Sequence, residues 1–232
     1  MLERYTLTTK PEIITSLFKA DVTRGYSPVY NGAPTKLLPV ITHEHPEGFS
    51  FFYWGLPPEM TKNKPVSKKL INAEVELLAS KVTYKNALLR RRCMIPADGF
   101  YLWKQVSKKG HIPYRFVLNN EKPFLIAGIW EEFDTESSSD THTFTMITVP
   151  SSKQIILFSD MMPAILKEEN IEDWLHPSTS EIRLVEIIND NPYEDFGSYP
   201  VSSQINKLEL NSPELIQPSK PMDQFGNFSL FD

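Results

Sequence analysis

Short runs of β-branched and aromatic residues, set between turn residues, recur along the chain. Leu37 to Thr42, Phe49 to Leu56, Tyr114 to Leu118, Phe124 to Trp130 and Phe144 to Val149 are the clearest. Runs of this length and type predict strands. Glu121-Lys122-Pro123 and the Ser-, Asp- and Thr-rich stretch from Asp134 to Thr141 read as hairpin loops. Helical spacing is rarer. Ile13, Ile14, Leu17 and Phe18 fall on one face of Pro11 to Phe18, which opens with a proline where a helix tolerates one. Asn72 to Ala79 and Thr83 to Arg91 are further predicted helices. Lys167 to Leu175 starts acidic and sets Ile171, Trp174 and Leu175 on one face. Strands dominate and helices are interspersed without strict alternation, which predicts an α+β fold.

Composition narrows the picture. The chain of 232 residues is 41% hydrophobic, enough for one domain with a substantial core. Gly is scarce (9) and Pro abundant (19), which favours rigid turns over flexible linkers. No domain boundary is visible before residue 207. The polar stretch 208–232 carries Pro213, Pro218 and Pro221 and reads as an extended tail on a 1–207 domain. No apolar run is long enough to span a bilayer, and Met1-Leu2-Glu3-Arg4 does not open a secretory signal. A cytoplasmic, monomeric protein without membrane contact is expected. The lone cysteine, Cys93, excludes an internal disulfide and any multi-cysteine metal site, and is expected to pack as a small core hydrophobe. His43 and His45 flank Glu44 but make a poor metal site by themselves, so no metal and no cofactor are expected. The net charge of −5 does not advertise a nucleic-acid binder, although it leaves room for a local basic groove.

Three segments carry a resemblance. They are Arg90-Arg91-Arg92-Cys93-Met94-Ile95-Pro96-Ala97-Asp98-Gly99-Phe100-Tyr101-Leu102-Trp103, then Ile71-Asn72-Ala73-Glu74 with Glu76, and Ser159-Asp160-Met161-Met162-Pro163-Ala164-Ile165-Leu166. Tyr30-Asn31, Ala33-Pro34, Trp54-Gly55-Leu56, Ala127 to Glu131, and Val201-Ser202-Ser203 with Asn206 fall in the matching order. The pattern resembles the SOS-response-associated peptidase (SRAP) family of abasic-site processing proteins over roughly residues 1 to 218. The resemblance implies a compact, β-rich, barrel-like α+β domain with a groove for single-stranded DNA. It also implies chemistry at a cysteine in position 2, whose amine and thiol capture the aldehyde of an abasic site in a ring-closed crosslink. An asparagine supports that site, and a glutamate and a histidine move protons.

The chain departs from that pattern at the reacting groups. Leu2 stands at the cysteine, Leu102 at the glutamate and Ser159 at the histidine; of the four, only Asn72 remains. Glu74 and Met161 replace two basic positions implied to lie near phosphates. Leucine cannot exchange protons and unaided serine is a poor base, so the inherited crosslinking is expected to be lost. Asn72 is then either a retained pocket residue or a structural asparagine.

The same resemblance, with the residue types, marks Trp54, Asn31, Arg90 and Arg91 as candidate DNA contacts. Trp54 is either a base-stacking platform or a buried strand end; Arg90 and Arg91 either flank a groove or cap a solvated helix end. Trp103 and Trp130 read as core. Phe228, Leu230 and Phe231, within Asn227-Phe228-Ser229-Leu230-Phe231, resemble the short peptide by which bacterial DNA-processing proteins dock on the sliding clamp. The expected function is a SRAP-like binding protein without crosslinking, its partner single-stranded or abasic DNA. The rivals are an active enzyme using the Met1 amine, and a protein-interaction module that no longer touches DNA.

Overall fold

The computed structural model describes residues 2–22, 25–61, 64–78, 80–135, 138–190 and 195–228, with backbone alone for 134–135 and 138–140. Its strands are β1 (Tyr5–Leu7), β2 (Val29–Gly32), β3 (Leu37–Thr42), β4 (Ser50–Trp54), β5 (Asn72–Glu74), β6 (Arg92–Ala97), β7 (Gly99–Gln105), β8 (His111–Leu118), β9 (Phe124–Thr135), β10 (Ser138–Pro150), β11 (Met161–Pro163), β12 (Ile165–Leu166) and β13 (Phe196–Pro200). In one sheet β10, β4, β3, β6 and β9 follow one another, and β9 pairs with β10 again, so the five strands close into a barrel. The short strands β5 and β11 add to β10, and β12 adds to β9. A second sheet, ordered β13-β8-β7-β1-β2, packs against it. Closure leaves the barrel no free hydrogen-bonding edge of its own.

The core lies within the barrel and between the sheets. Trp54 and Phe144 stack with ring centroids 6.0 Å apart, and Tyr5 meets Trp54 edge-on at 5.7 Å. Two buried cations tie elements together. Arg92 donates through Nε to the Trp174 carbonyl at 2.6 Å and through Nη1 to those of Leu88 and Leu89. It thereby joins β6 to two helices, Val82–Arg90 and Ile171–Leu175. Arg115 on β8 pairs with Asp98 at 3.0 Å; the Asp98 carboxylate also accepts from the hydroxyl of Thr6 and the amides of Thr8 and Thr9. Gly99 sits inside this knot because a Cβ there would lie 2.8 Å from Arg115 Nε and 2.9 Å from the Phe116 carbonyl oxygen.

The helix Pro11–Phe18 and the strand Leu37–Thr42 have the expected bounds. The expected helix from Asn72 does not form at its start. Asn72–Glu74 are strand β5, because parallel pairing of Asn72 with Met146 and Ala73 with Ile147 captures the backbone; the helix Val75–Leu78 follows, and Ala79 lies outside the described residues. The helix Glu181–Asn189 was not expected, although the Ser180 hydroxyl accepts from the Arg183 amide as an N-cap.

The stretch expected as an extended tail is laid along the domain as far as residue 228. Leu215, 2% exposed, packs with Tyr101, Val201 and Ile205. Asn211 faces the edge strand β2: its Oδ1 accepts from the amides of Tyr30 (2.8 Å) and Asn31 (3.1 Å), and its Nδ2 donates to the Pro28 carbonyl. Further on, Gln224 accepts from the His111 amide and donates to the Lys109 carbonyl, docking the chain against the loop between β7 and β8.

Candidate functional site

The site is assembled where the chain start meets β5. Trp54 donates its indole N–H to the Ile71 carbonyl at 2.9 Å, and the Thr145 hydroxyl donates to that of Leu70 at 2.8 Å. These bonds and the β5–β10 pairing fix the main chain at Asn72. The Asn72 side-chain amide then donates from Nδ2 to the Leu2 carbonyl at 2.7 Å, and its buried Oδ1 has no partner among the described residues. Leu2 is 1% exposed, its side chain part of the core.

Opposite lies the turn from Ser151 to Asp160. The Ser151 amide donates to the Asp160 carbonyl at 2.9 Å, closing the turn, and the Phe158 ring packs edge-on against Tyr114 and Phe116 at 5.1 and 5.0 Å. The Ser159 hydroxyl donates to the Met161 carbonyl at 2.7 Å and accepts from the Met161 amide at 3.2 Å. It thus serves the local backbone.

Between these elements opens a cleft of about 610 Å³, onto which Leu2, Asn72, Glu74, Ser159 and Met161 converge. Lys68, Phe158, Ser159 and Asp160 are shared with an adjoining groove of about 980 Å³, which Glu3, Trp103, His111, Leu157 and Gln224 also line. Cleft and groove form one continuous depression. Lys68 and Lys69 are exposed on its wall, and the Tyr84 hydroxyl donates to the Lys69 carbonyl at 2.5 Å. Burial, with the Glu74 charge adding to it, raises that hydroxyl above the ordinary tyrosine value.

The structure therefore brings together four positions singled out from the sequence as carrying, or having lost, chemistry or charge beside Asn72: Leu2, Glu74, Ser159 and Met161. Leu102 is 1% exposed on β7, opposite Tyr114, and does not line the cleft. The expected DNA contacts fare differently. Trp54 is fully buried, so it is the strand end rather than the platform. Asn31 is also fully buried and donates to the carbonyls of Ile205, Lys207 and Leu210, which makes it a staple for the following chain. Arg91 pairs with Glu131 at 2.7 Å, Arg90 is exposed at its helix end, and neither lines the depression. Trp103, expected in the core, is instead half-buried on the groove, as Phe158 is, and its indole N–H donates to Asn206 Oδ1 at 3.2 Å. Lys68 and Lys69 were missed, although Ser67-Lys68-Lys69 directly precedes the Leu70-Ile71-Asn72 segment.

Trp130 is core as expected, and Cys93 is fully buried, its thiol pushed well above the ordinary range by desolvation. Phe228 is 58% exposed and bridged to Met222; Leu230 and Phe231 lie outside the described residues. Among the described residues no three His, Cys, Asp or Glu side chains are grouped to hold a metal ion, and no helix is long and apolar enough to cross a membrane.

The chain has clear relatives. The profile of the family described as SOS response associated peptidase (SRAP) matches residues 1–208. The abasic site processing protein YoqW of Bacillus subtilis is 35% identical over 222 residues, 94% of this chain and 99% of that protein. The abasic site processing protein YobE of the same organism is 36% identical over 83% of this chain and 86% of its own length. The abasic site processing protein HMCES of Gallus gallus is 30% identical over 83% of this chain and 67% of that protein. Among solved structures, a protein from Bacteroides thetaiotaomicron superposes with a TM-score of 0.78 at 23% identity, covering 93% of this chain and 99% of the other, which shows a shared fold.

Proposed function

The chain belongs to the SOS response associated peptidase (SRAP) family, and from that premise we propose that it is a member without covalent capture, which binds single-stranded or abasic DNA in the depression beside Asn72. One observation carries the reading: at the position implied for the nucleophile stands Leu2, an alkyl side chain turned into the core, with its carbonyl held by Asn72 at 2.7 Å. An alkyl group cannot add to an aldehyde. Ser159 does not restore the lost proton transfer, since its hydroxyl is engaged with the Met161 backbone. Leu102 is packed among apolar neighbours, so no acid or base stands at that position either.

Binding is the part of the family role these changes leave possible. The depression is large and open, and Lys68 and Lys69 offer charge to a phosphate backbone. Trp103 offers part of a ring to a base. Glu74 and Asp160 lower the attraction to phosphate, so binding is weaker than that of a uniformly basic groove.

The test uses one single-stranded oligonucleotide carrying an abasic site. The expected result is a salt-sensitive rise in anisotropy with no shifted band on a denaturing gel. A heat-stable shifted band overturns the loss of capture and shows that the chain carries a nucleophile other than a side chain at position 2. Absence of binding overturns the DNA reading and directs the search to a protein partner.

A further inference from the structure

Exposed apolar side chains scattered over a surface need no explanation. Ile156 and Leu157 are not scattered. They are 48% and 78% exposed, adjacent in sequence, and both line the groove that Trp103 lines. Their backbone is held: Ile155 beneath them is fully buried, the Ile156 amide donates to the Ser152 carbonyl at 2.9 Å, and the Phe158 amide donates to that of Ile155 at 2.8 Å. With Phe158 wedged against Tyr114 and Phe116, the turn has little freedom to fold its two apolar side chains away from water.

We propose that Ile156 and Leu157 are an unstacking wedge, which enters between neighbouring bases of a single strand while Trp103 takes the face of a freed base. The proposal rests on the DNA-binding reading above and specifies how that site holds its ligand. Three observations favour a nucleic-acid strand over a protein segment. Lys68 lines both the groove and the cleft, so a backbone passing from one to the other meets a cation at the junction. The Trp103 ring is held by its bond to Asn206 on the same groove, as a stacking platform requires. The two apolar side chains stand on a rigid turn, the form in which apolar residues part base steps. A strand so held is read by base faces and carries little sequence preference.

The experiment uses the full chain and a fluorescein-labelled single-stranded oligonucleotide. A second strand carries 2-aminopurine, whose emission rises when it is unstacked. Ile156→Ser with Leu157→Ser is compared with the wild type, and Ile182→Ser, an equally exposed apolar residue on the helix Glu181–Asn189, is the control. The wild type is expected to bind and raise the 2-aminopurine emission. The double variant is expected to lose that rise and bind roughly tenfold more weakly, with an unchanged salt slope because the lysines remain. The control should match the wild type. An undiminished rise with undiminished affinity in the double variant overturns the wedge and leaves the binding reading standing. No anisotropy change with the wild type overturns the binding reading, and the wedge falls with it.

Discussion

The side-chain amide of Asn72 donates to the main-chain carbonyl of Leu2 at 2.7 Å, linking β5 to the chain start across 70 residues of sequence. A buried carbonyl stripped of its donor costs about 1–2 kcal/mol. Asn72→Ala should lower stability by that amount in urea unfolding. Asn72→Asp should lower it further, because an acceptor then faces an acceptor. An Asn72→Ala midpoint equal to the wild type would show that the bond contributes nothing to the fold.

Leu102 gives a sharper expectation. It is 1% exposed and packed among apolar side chains on β7, where the family resemblance implies a glutamate. Installing a carboxyl there buries a polar group without a partner, and Leu102→Glu should cost roughly 2–4 kcal/mol in thermal or urea unfolding. Because Leu102 lies off the cleft, recovery of capture is tested with Leu2→Cys and Ser159→His, both on the cleft, and this pair is expected to give crosslinking to an abasic oligonucleotide. A double variant that binds the strand without crosslinking would place the divergence in the cleft geometry.

Cys93 is fully buried, and desolvation disfavours its thiolate. A disulfide reagent should therefore release no thiolate equivalent from the native protein within minutes. It should release one per chain in denaturant, matching the single cysteine. Fast reaction of the native protein would mean that the barrel opens around β6.

Asp223 supplies a local pH dependence. Partial burial works to raise its pKa, but the hydrogen bonds it receives from the Asn227 backbone and side-chain amides and from the Phe225 amide outweigh this and hold it below the ordinary carboxylate value. A depressed folded value means that the carboxylate stabilises the turn at neutral pH. That contribution is lost as the pH falls through the folded value, below the usual carboxylate range near about 4. The amide shifts of Phe225 and Asn227 should titrate together there, and Asp223→Asn should abolish the step. A midpoint at or above the ordinary value would contradict the turn geometry.

Several elements can be read from local sequence because local sequence decides them. Pro11 and the spacing of Ile13, Ile14, Leu17 and Phe18 fix one helix; the apolar run Leu37 to Thr42 fixes a strand. Other features depend on partners far away. Asn72 and Ala73 are strand only because β10 lies beside them. Trp54 and Trp103 both sit in strands among aromatic residues, and period-2 alternation does not tell which is buried when both faces of a sheet are covered. Arg90, Arg91 and Arg92 look alike as a run. The turn from helix to β6 sends Arg92 inward onto four carbonyls and leaves Arg90 in water. In the site, the positions at which the chain departs from the family pattern were legible from the resemblance. The residues that shape the groove, Lys68, Trp103 and Leu157, come together only through the helix Lys68–Ile71, the second sheet and the turn before Asp160.

The position of Asn211 bears on where this molecule can be cut. Both amides that it receives, Tyr30 and Asn31, lie on β2, the terminal strand of the five-stranded sheet. One side chain thus occupies a row of donors that would otherwise be open to the strand of a neighbouring molecule. The stretch beyond residue 207 therefore works as a sheath for that edge. A chain shortened to that point would keep its barrel, yet lose the Gln224 wall of its groove and carry an adhesive border where the longer chain has a covered one.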